Sequence, residues 1–128
     1  MLSVIWLKST GSIFYFETMN RRFCLTLDLI NDPQLIEEYE VYHQSVKPEI
    51  LQSFRDAGIL SMELYRWENR LCMIIEVDSS FSFERKAELD ANNPKVQEWE
   101  NLMSTYQQKL PNSKVNEKWQ LMKRIFES

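Results

Sequence analysis

His43 is the only histidine in the chain, and it stands four residues after Tyr39 in the stretch EEYEVYHQSVKPEI. On a helix that spacing puts imidazole and phenol on one side, where both can meet a common ligand. Imidazole titrates near neutrality and can both give and take a proton, so the pair suits general acid/base chemistry without a metal. The competing reading is a core histidine satisfied by a carbonyl or a tyrosine hydroxyl, because His43 shares a stripe with Leu35, Ile36, Tyr39, Tyr42 and Val46. Trp99 offers a flat indole, a platform for the apolar face of a sugar whose hydroxyls then need acids and amides around the rim. Gln97, Glu98, Glu100 and Asn101 stand beside it. A core tryptophan on an amphipathic helix is the alternative there.

Other chemistries are poorly served. One histidine and no paired cysteine spacing argue against zinc. Two glycines, Gly11 and Gly58, cannot build a phosphate-cradling loop, so no nucleotide cofactor is expected. Serines are plentiful, but no nucleophile-elbow motif surrounds any of them. Fifteen basic against nineteen acidic residues give a formal charge of −4, and no basic stripe carries interleaved aromatics. Nucleic acid is therefore not an expected partner. Cys24 and Cys72 lie far apart within apolar stretches and read as two buried free thiols in a reducing compartment, which places the protein in the cytoplasm.

The proposed site needs elements to hold it. A hydrophobic fraction of 44% and 12% aromatics predict one compact domain with its own core. The apolar run at residues 4–7 is far shorter than the roughly 20 residues of a membrane span, and no membrane partner is expected. Met19 directly precedes the first convincing strand, so residues 1–18 read as an N-terminal extension outside the fold and residues 19–128 as the domain. RRFCLTLDL alternates, with Phe23, Leu25, Leu27 and Leu29 on one face, as a strand does. Asp32 as N-cap and Pro33 at the first helical position start a helix expected to run to about Val46. Pro48 starts a second, with Ile50, Leu51, Phe54 and Ala57 inward and Gly58 as its left-handed terminator.

ILSMELYRW and LCMIIEV read as adjacent antiparallel strands turned by Glu68, Asn69 and Arg70. FERKAELD is a short helix. NPKVQEWENLMSTYQQ is a longer one capped by Asn93, with Val96, Trp99, Leu102, Met103 and Tyr106 inward, and KWQLMKRIFE is a last strand. The order strand, helices, strand, strand, helices, strand predicts an α+β, ferredoxin-like split βαβ fold with a four-stranded antiparallel sheet. Helices cover one face only, and LCMII is apolar on both. A homodimer with its sheets facing, a dimeric α/β-barrel-type assembly, is therefore expected.

EEYEVYH with KPEI, then MELYRWENRLCMIIEV, then VQEWENLM together resemble the L-rhamnose mutarotase family, small cofactor-free dimeric isomerases that interconvert sugar anomers. The similarity spans about residues 20–127. It implies His43 as the catalytic histidine, Tyr39 as a sugar-binding tyrosine and Trp99 as the first of two adjacent sugar-contacting tryptophans. This chain departs from the pattern at three positions. Glu100 replaces the second tryptophan, Met62 stands where the family has a substrate-contacting tyrosine, and Lys47 replaces a tryptophan before the Pro-Glu pair.

The resemblance implies a 6-deoxy-L-hexose substrate, L-rhamnose first and L-fucose close behind, opened and closed by acid/base catalysis. His43 would act at the ring oxygen, Tyr39 would orient sugar or imidazole, and Glu100 would be a sugar contact or second proton-transfer group. Two other readings stay open: a non-catalytic sugar-binding or regulatory module, and a small monooxygenase or haem-handling enzyme on the same dimeric fold.

Overall fold

The computed structural model describes residues 20–114 and 117–128. The expected extension at residues 1–18 lies outside the described residues. Among the described residues five strands and four helices follow in order: β1 (Arg21–Leu29), α1 (Pro33–Tyr42), α2 (Pro48–Asp56), β2 (Ile59–Trp67), β3 (Arg70–Val77), α3 (Phe83–Ala91), α4 (Pro94–Ser104), β4 (Gln107–Gln108) and β5 (Gln120–Leu121).

The fold is ferredoxin-like. Its antiparallel sheet runs β2-β3-β1, and the fourth position is shared, β4 pairing with Asp28 and Leu29 and β5 with Leu25 and Thr26 of β1. Register follows side-chain chemistry. Leu25 faces Met73, Leu27 faces Leu71 and Phe23 faces Ile75, so the long apolar side chains of β1 and β3 fall on one face. That face meets the helices through two clusters. Leu25, Ile59, Ile75, Val77 and Phe81 form the first, and Leu29, Tyr39, Leu71, Met103 and Tyr106 the second. Trp119 packs against both.

Helix starts are chemically specified. The Asp32 side chain accepts from the amides of Gln34 and Leu35, Asn93 accepts from Lys95 and Val96, and Ser82 accepts from Arg85. Each satisfies amide donors that have no partner within the helix. Gly58, at φ +94°, ends α2 in a backbone region that penalises a Cβ, and its carbonyl accepts from the amide of Asp78.

Several expectations are corrected. α1 stops at Tyr42 rather than Val46, because His43 caps it and Lys47, preceding Pro48, is held extended at ψ 146°. Leu51 is not inward but exposed. The turn between β2 and β3 uses two residues, Glu68 (φ 53°) and Asn69, and Arg70 already belongs to β3, where it forks onto Asp28 at 2.7 and 3.1 Å. Gln107 and Gln108 extend no helix; they pair with β1. The expected last strand shrinks to Gln120–Leu121, leaving Ile125 and Phe126 largely exposed.

The open sheet face is mixed rather than apolar. β3 sends Leu71, Met73 and Ile75 to the helices, so its other face shows Cys72, Ile74 and Glu76, with Glu63 and Tyr65 of β2 alongside. Cys24 and Cys72, 48 positions apart in sequence, are free thiols but half-buried rather than buried. Their Sγ atoms lie 3.1 Å apart on that face, diagonally across β1 and β3, and desolvation together with the neighbouring thiol pushes Cys24 up to about 11.

Candidate functional site

Tyr39, His43 and Trp99 meet where the end of α1 comes against α4. The Tyr39 and His43 ring centroids are 4.6 Å apart, and the imidazole stands edge-on to the Trp99 indole at 5.5 Å. The i, i+4 spacing on α1 brings the first two rings together, and α4 presents Trp99 beside the buried Met103. Tyr39 is 3% exposed, whereas His43 and Trp99 are half-buried.

The tautomer of His43 is set by geometry. Its Nδ1 lies 2.7 Å from the Tyr39 carbonyl oxygen. A carbonyl only accepts, so Nδ1 carries the hydrogen and a neutral ring presents a lone pair at Nε2. None of the described hydrogen bonds engages Nε2. Proton traffic at this residue therefore passes through Nε2 alone, whether the ring acts as base or, once protonated, as acid.

Behind the rings runs a polar chain that sequence spacing did not expose. Gln107 Nε2 donates to the Tyr39 hydroxyl at 3.2 Å, and Lys118 Nζ donates to Gln107 Oε1 at 3.1 Å and to the Ser104 hydroxyl. Burial pushes the Tyr39 phenol up, and the Gln107 bond pulls it the other way. Burial lowers the Lys118 ammonium against the opposing pull of Glu100. Next door, Tyr106 donates to Glu38 at 2.9 Å, which holds its phenol up at about 12.

Glu100 and Met62, also singled out from sequence, sit elsewhere. Glu100 points into a shallow cavity of about 290 Å³ between α3 and α4, lined also by Phe83, Lys86, Asp90 and Gln97. Desolvation and the nearby Asp90 raise its carboxyl, Lys86 and Lys118 oppose that, and Gln97 lies within 3.5 Å. Met62 packs against the first core cluster, with Ile75 as its cross-strand partner. A second concavity of about 400 Å³ lies on the outer side of α1, around Gln34, Glu37 and Tyr42. Neither concavity is lined by His43. The ring cluster is the better candidate site than either hollow, because convergent polar groups are a stronger sign of chemistry than concavity alone. Among the described residues, no three His, Cys, Asp or Glu side chains converge as metal ligands, and no helix is long and apolar enough to cross a membrane.

Residues 22–128 match the family described as L-rhamnose mutarotase. The chain is 41% identical over 108 residues to an L-fucose mutarotase of Xanthomonas campestris pv. campestris, covering 83% of this chain and 86% of that one. Among solved structures, the L-rhamnose mutarotase of Formosa agariphila superposes with a TM-score of 0.62 at 22% identity, over 84% of this chain and 98% of that one. A tetracenomycin F2 cyclase from Streptomyces glaucescens superposes with a TM-score of 0.50 at 16% identity, over 84% and 95% of the two chains. These two likenesses speak for the fold alone, and the second shows it carrying quite different chemistry.

Proposed function

The chain belongs to the L-rhamnose mutarotase family, and we propose that it interconverts the α and β anomers of a 6-deoxy-L-hexose, with L-fucose as the preferred substrate and L-rhamnose the comparison. The choice of L-fucose rests on the 41% identity to a relative of that name. The observation that carries the reaction type is His43, whose Nδ1 is committed to the Tyr39 carbonyl and whose Nε2 none of the described hydrogen bonds engages.

One imidazole nitrogen can carry the whole proton balance. Neutral Nε2 takes the proton of the anomeric hydroxyl as the bond from the anomeric carbon to the ring oxygen breaks, and hands that proton to the ring oxygen. The product is the open-chain aldehyde. Rotation presents the other face of the carbonyl, and the same transfer in reverse closes the ring as the opposite anomer. Tyr39 orients the imidazole through its carbonyl and its adjacent tilted ring, while Trp99 receives the apolar face of the sugar. Glu100, one residue on, faces the hollow between α3 and α4 with Asp90 and takes no part in the scheme at His43. Met62, standing where the family has a tyrosine, packs against the first core cluster and offers the sugar no hydroxyl. Anomer exchange already runs in water, so an acceleration of about 10²–10⁴ from one positioned histidine is proportionate.

The same protein is proposed to work in the cytoplasm as a homodimer without a cofactor. Exposed Tyr65 and Trp67 on the open sheet face favour a second copy there. A single ~15 kDa species on sedimentation at micromolar concentration would sink the dimer.

Saturation-transfer NMR between the two anomeric protons, run with L-fucose, L-rhamnose and D-glucose, tests the activity. Enzyme-dependent exchange is expected for a deoxy-L-hexose and not for D-glucose. Thermal stabilisation by the sugar without faster exchange would replace the enzyme by a binding module.

A further inference from the structure

The Tyr39 hydroxyl is buried, yet the bond it makes is one in which it accepts. That polarity is not free to reverse. An ammonium has three donors and no acceptor, so Lys118 Nζ can be met only by the oxygen of the Gln107 carboxamide. With the oxygen so occupied, the NH₂ group must face Tyr39. The phenol is then met by a donor and cannot give its own hydrogen to Gln107. Among the described hydrogen bonds none takes that hydrogen. A buried hydroxyl hydrogen with no acceptor is costly, which makes a ligand oxygen its natural partner.

We propose that Lys118 and Gln107 are positioning residues that commit the Tyr39 hydroxyl to donating to an acceptor oxygen of the bound sugar. The pyranose ring oxygen, with lone pairs and no hydrogen, is the sugar atom that only a donor can serve. The identity of the ligand rests on the mutarotase reading; the direction of the relay does not. Several elements hold the relay in place. Gln107 is fixed by the pairing of β4 with Leu29, Lys118 is anchored beside Trp119, and Ser104 passes its own hydrogen to the Glu100 carbonyl at 2.8 Å, leaving its oxygen to accept from Lys118.

The sign of one titration reads the orientation directly. With protein carrying ¹³Cζ-tyrosine, and the Tyr39 signal assigned by Tyr39→Phe, the ionisation of Tyr39 is followed in the wild type and in Gln107→Met. Loss of a donor to the phenolate moves it to higher pH; loss of an acceptor from the phenol would move it lower. An upward shift is expected. In the Lys118→Met background the carboxamide is free to turn, so the same substitution shifts Tyr39 less or in the opposite sense. A downward shift in the first experiment, or an equal shift in both backgrounds, overturns the proposal.

In anomer exchange, Gln107→Met and Lys118→Met each cost about tenfold, the weight of one hydrogen bond, and the double variant costs no more than the larger single loss. Fully multiplicative losses would also overturn the relay. If the wild type shows no exchange with any sugar while the titration behaves as expected, the mutarotase reading falls and the relay stands.

Discussion

Replacing His43 with alanine removes the one group that the reaction scheme cannot do without, and its two consequences differ in size. The kinetic loss is that of a general acid/base, about 10²–10⁴ in rate, or about 3–5 kcal/mol of transition-state stabilisation. The structural loss is smaller. The backbone amide of His43 still caps α1 on the Glu40 carbonyl, and what disappears is the Nδ1 bond to Tyr39 and two ring contacts of a half-buried side chain. One hydrogen bond and two partly solvated aromatic contacts sum to about 2 kcal/mol, against an ordinary domain stability of about 5–15 kcal/mol. The variant should therefore fold and be nearly inert. Saturation-transfer rates give the first number and urea unfolding followed by circular dichroism the second. Free imidazole should restore part of the rate in the alanine variant, because the missing group is a diffusible base. Exchange within a factor of about three of wild type would refute the assignment of His43, as would a loss of rate that merely tracks unfolding.

Gly58→Ala places a Cβ at 2.6 Å from Asp78 Oδ1 and 2.7 Å from Ser80 Oγ, at φ +94°. Backbone strain and the broken Asp78–Ser80 bond together cost about 2–4 kcal/mol, and a shift in urea unfolding worth under about 1 kcal/mol would contradict this. Glu100→Gln should stabilise the protein at neutral pH. The carboxyl is raised by burial, so above its folded value it stays ionised in both states and carries the desolvation penalty, while below its unfolded value it is protonated in both and carries none. The gain should fade as pH falls through the carboxylate range, and a gain independent of pH in thermal melts would refute the cause. Cys24, pushed up to about 11, should react with iodoacetamide at pH 8 about tenfold more slowly than an ordinary thiol, its smaller thiolate fraction being partly offset by greater nucleophilicity, as read by mass spectrometry of labelled peptides. Labelling of Cys24 at the ordinary rate would count against the desolvation and thiol contact that raise it.

The sequence was informative where chemistry is local. The Asp32-Pro33 and Asn93-Pro94 pairs announced two helix starts, alternation announced β1, and the spacing of Tyr39 and His43 announced their shared face. Its failures share a cause: they depend on which strands pair and in what register. Tyr106 continues the apolar period of α4, so Gln107 reads as more helix, yet its place is set by Leu29 on β1. The thiols of Cys24 and Cys72 meet only because β1 and β3 align with Thr26 opposite Cys72. The Lys118–Gln107–Tyr39 chain joins three segments, and no periodicity within any of them marks it. Glu100 stood next to Trp99 in sequence, but one step along a helix turns a side chain by about 100°, which sends it towards Asp90 rather than His43.

The central position of β1 has a consequence for the way the protein is made. It is the first strand of the described domain to leave the ribosome, yet both of its edges are closed by segments made later, β3 on one side and β4 and β5 on the other. At roughly 5–20 residues per second, β1 and α1 wait for seconds before Gln107 emerges. The β2–β3 hairpin, with its two-residue turn, can pair without waiting for either end of the domain. Tyr39 and Gln107 lie 68 positions apart, so a nascent chain holds the histidine long before it holds the residue that bonds the Tyr39 hydroxyl. The Tyr39–Gln107 contact thus forms late in translation, when the final segment has closed over β1.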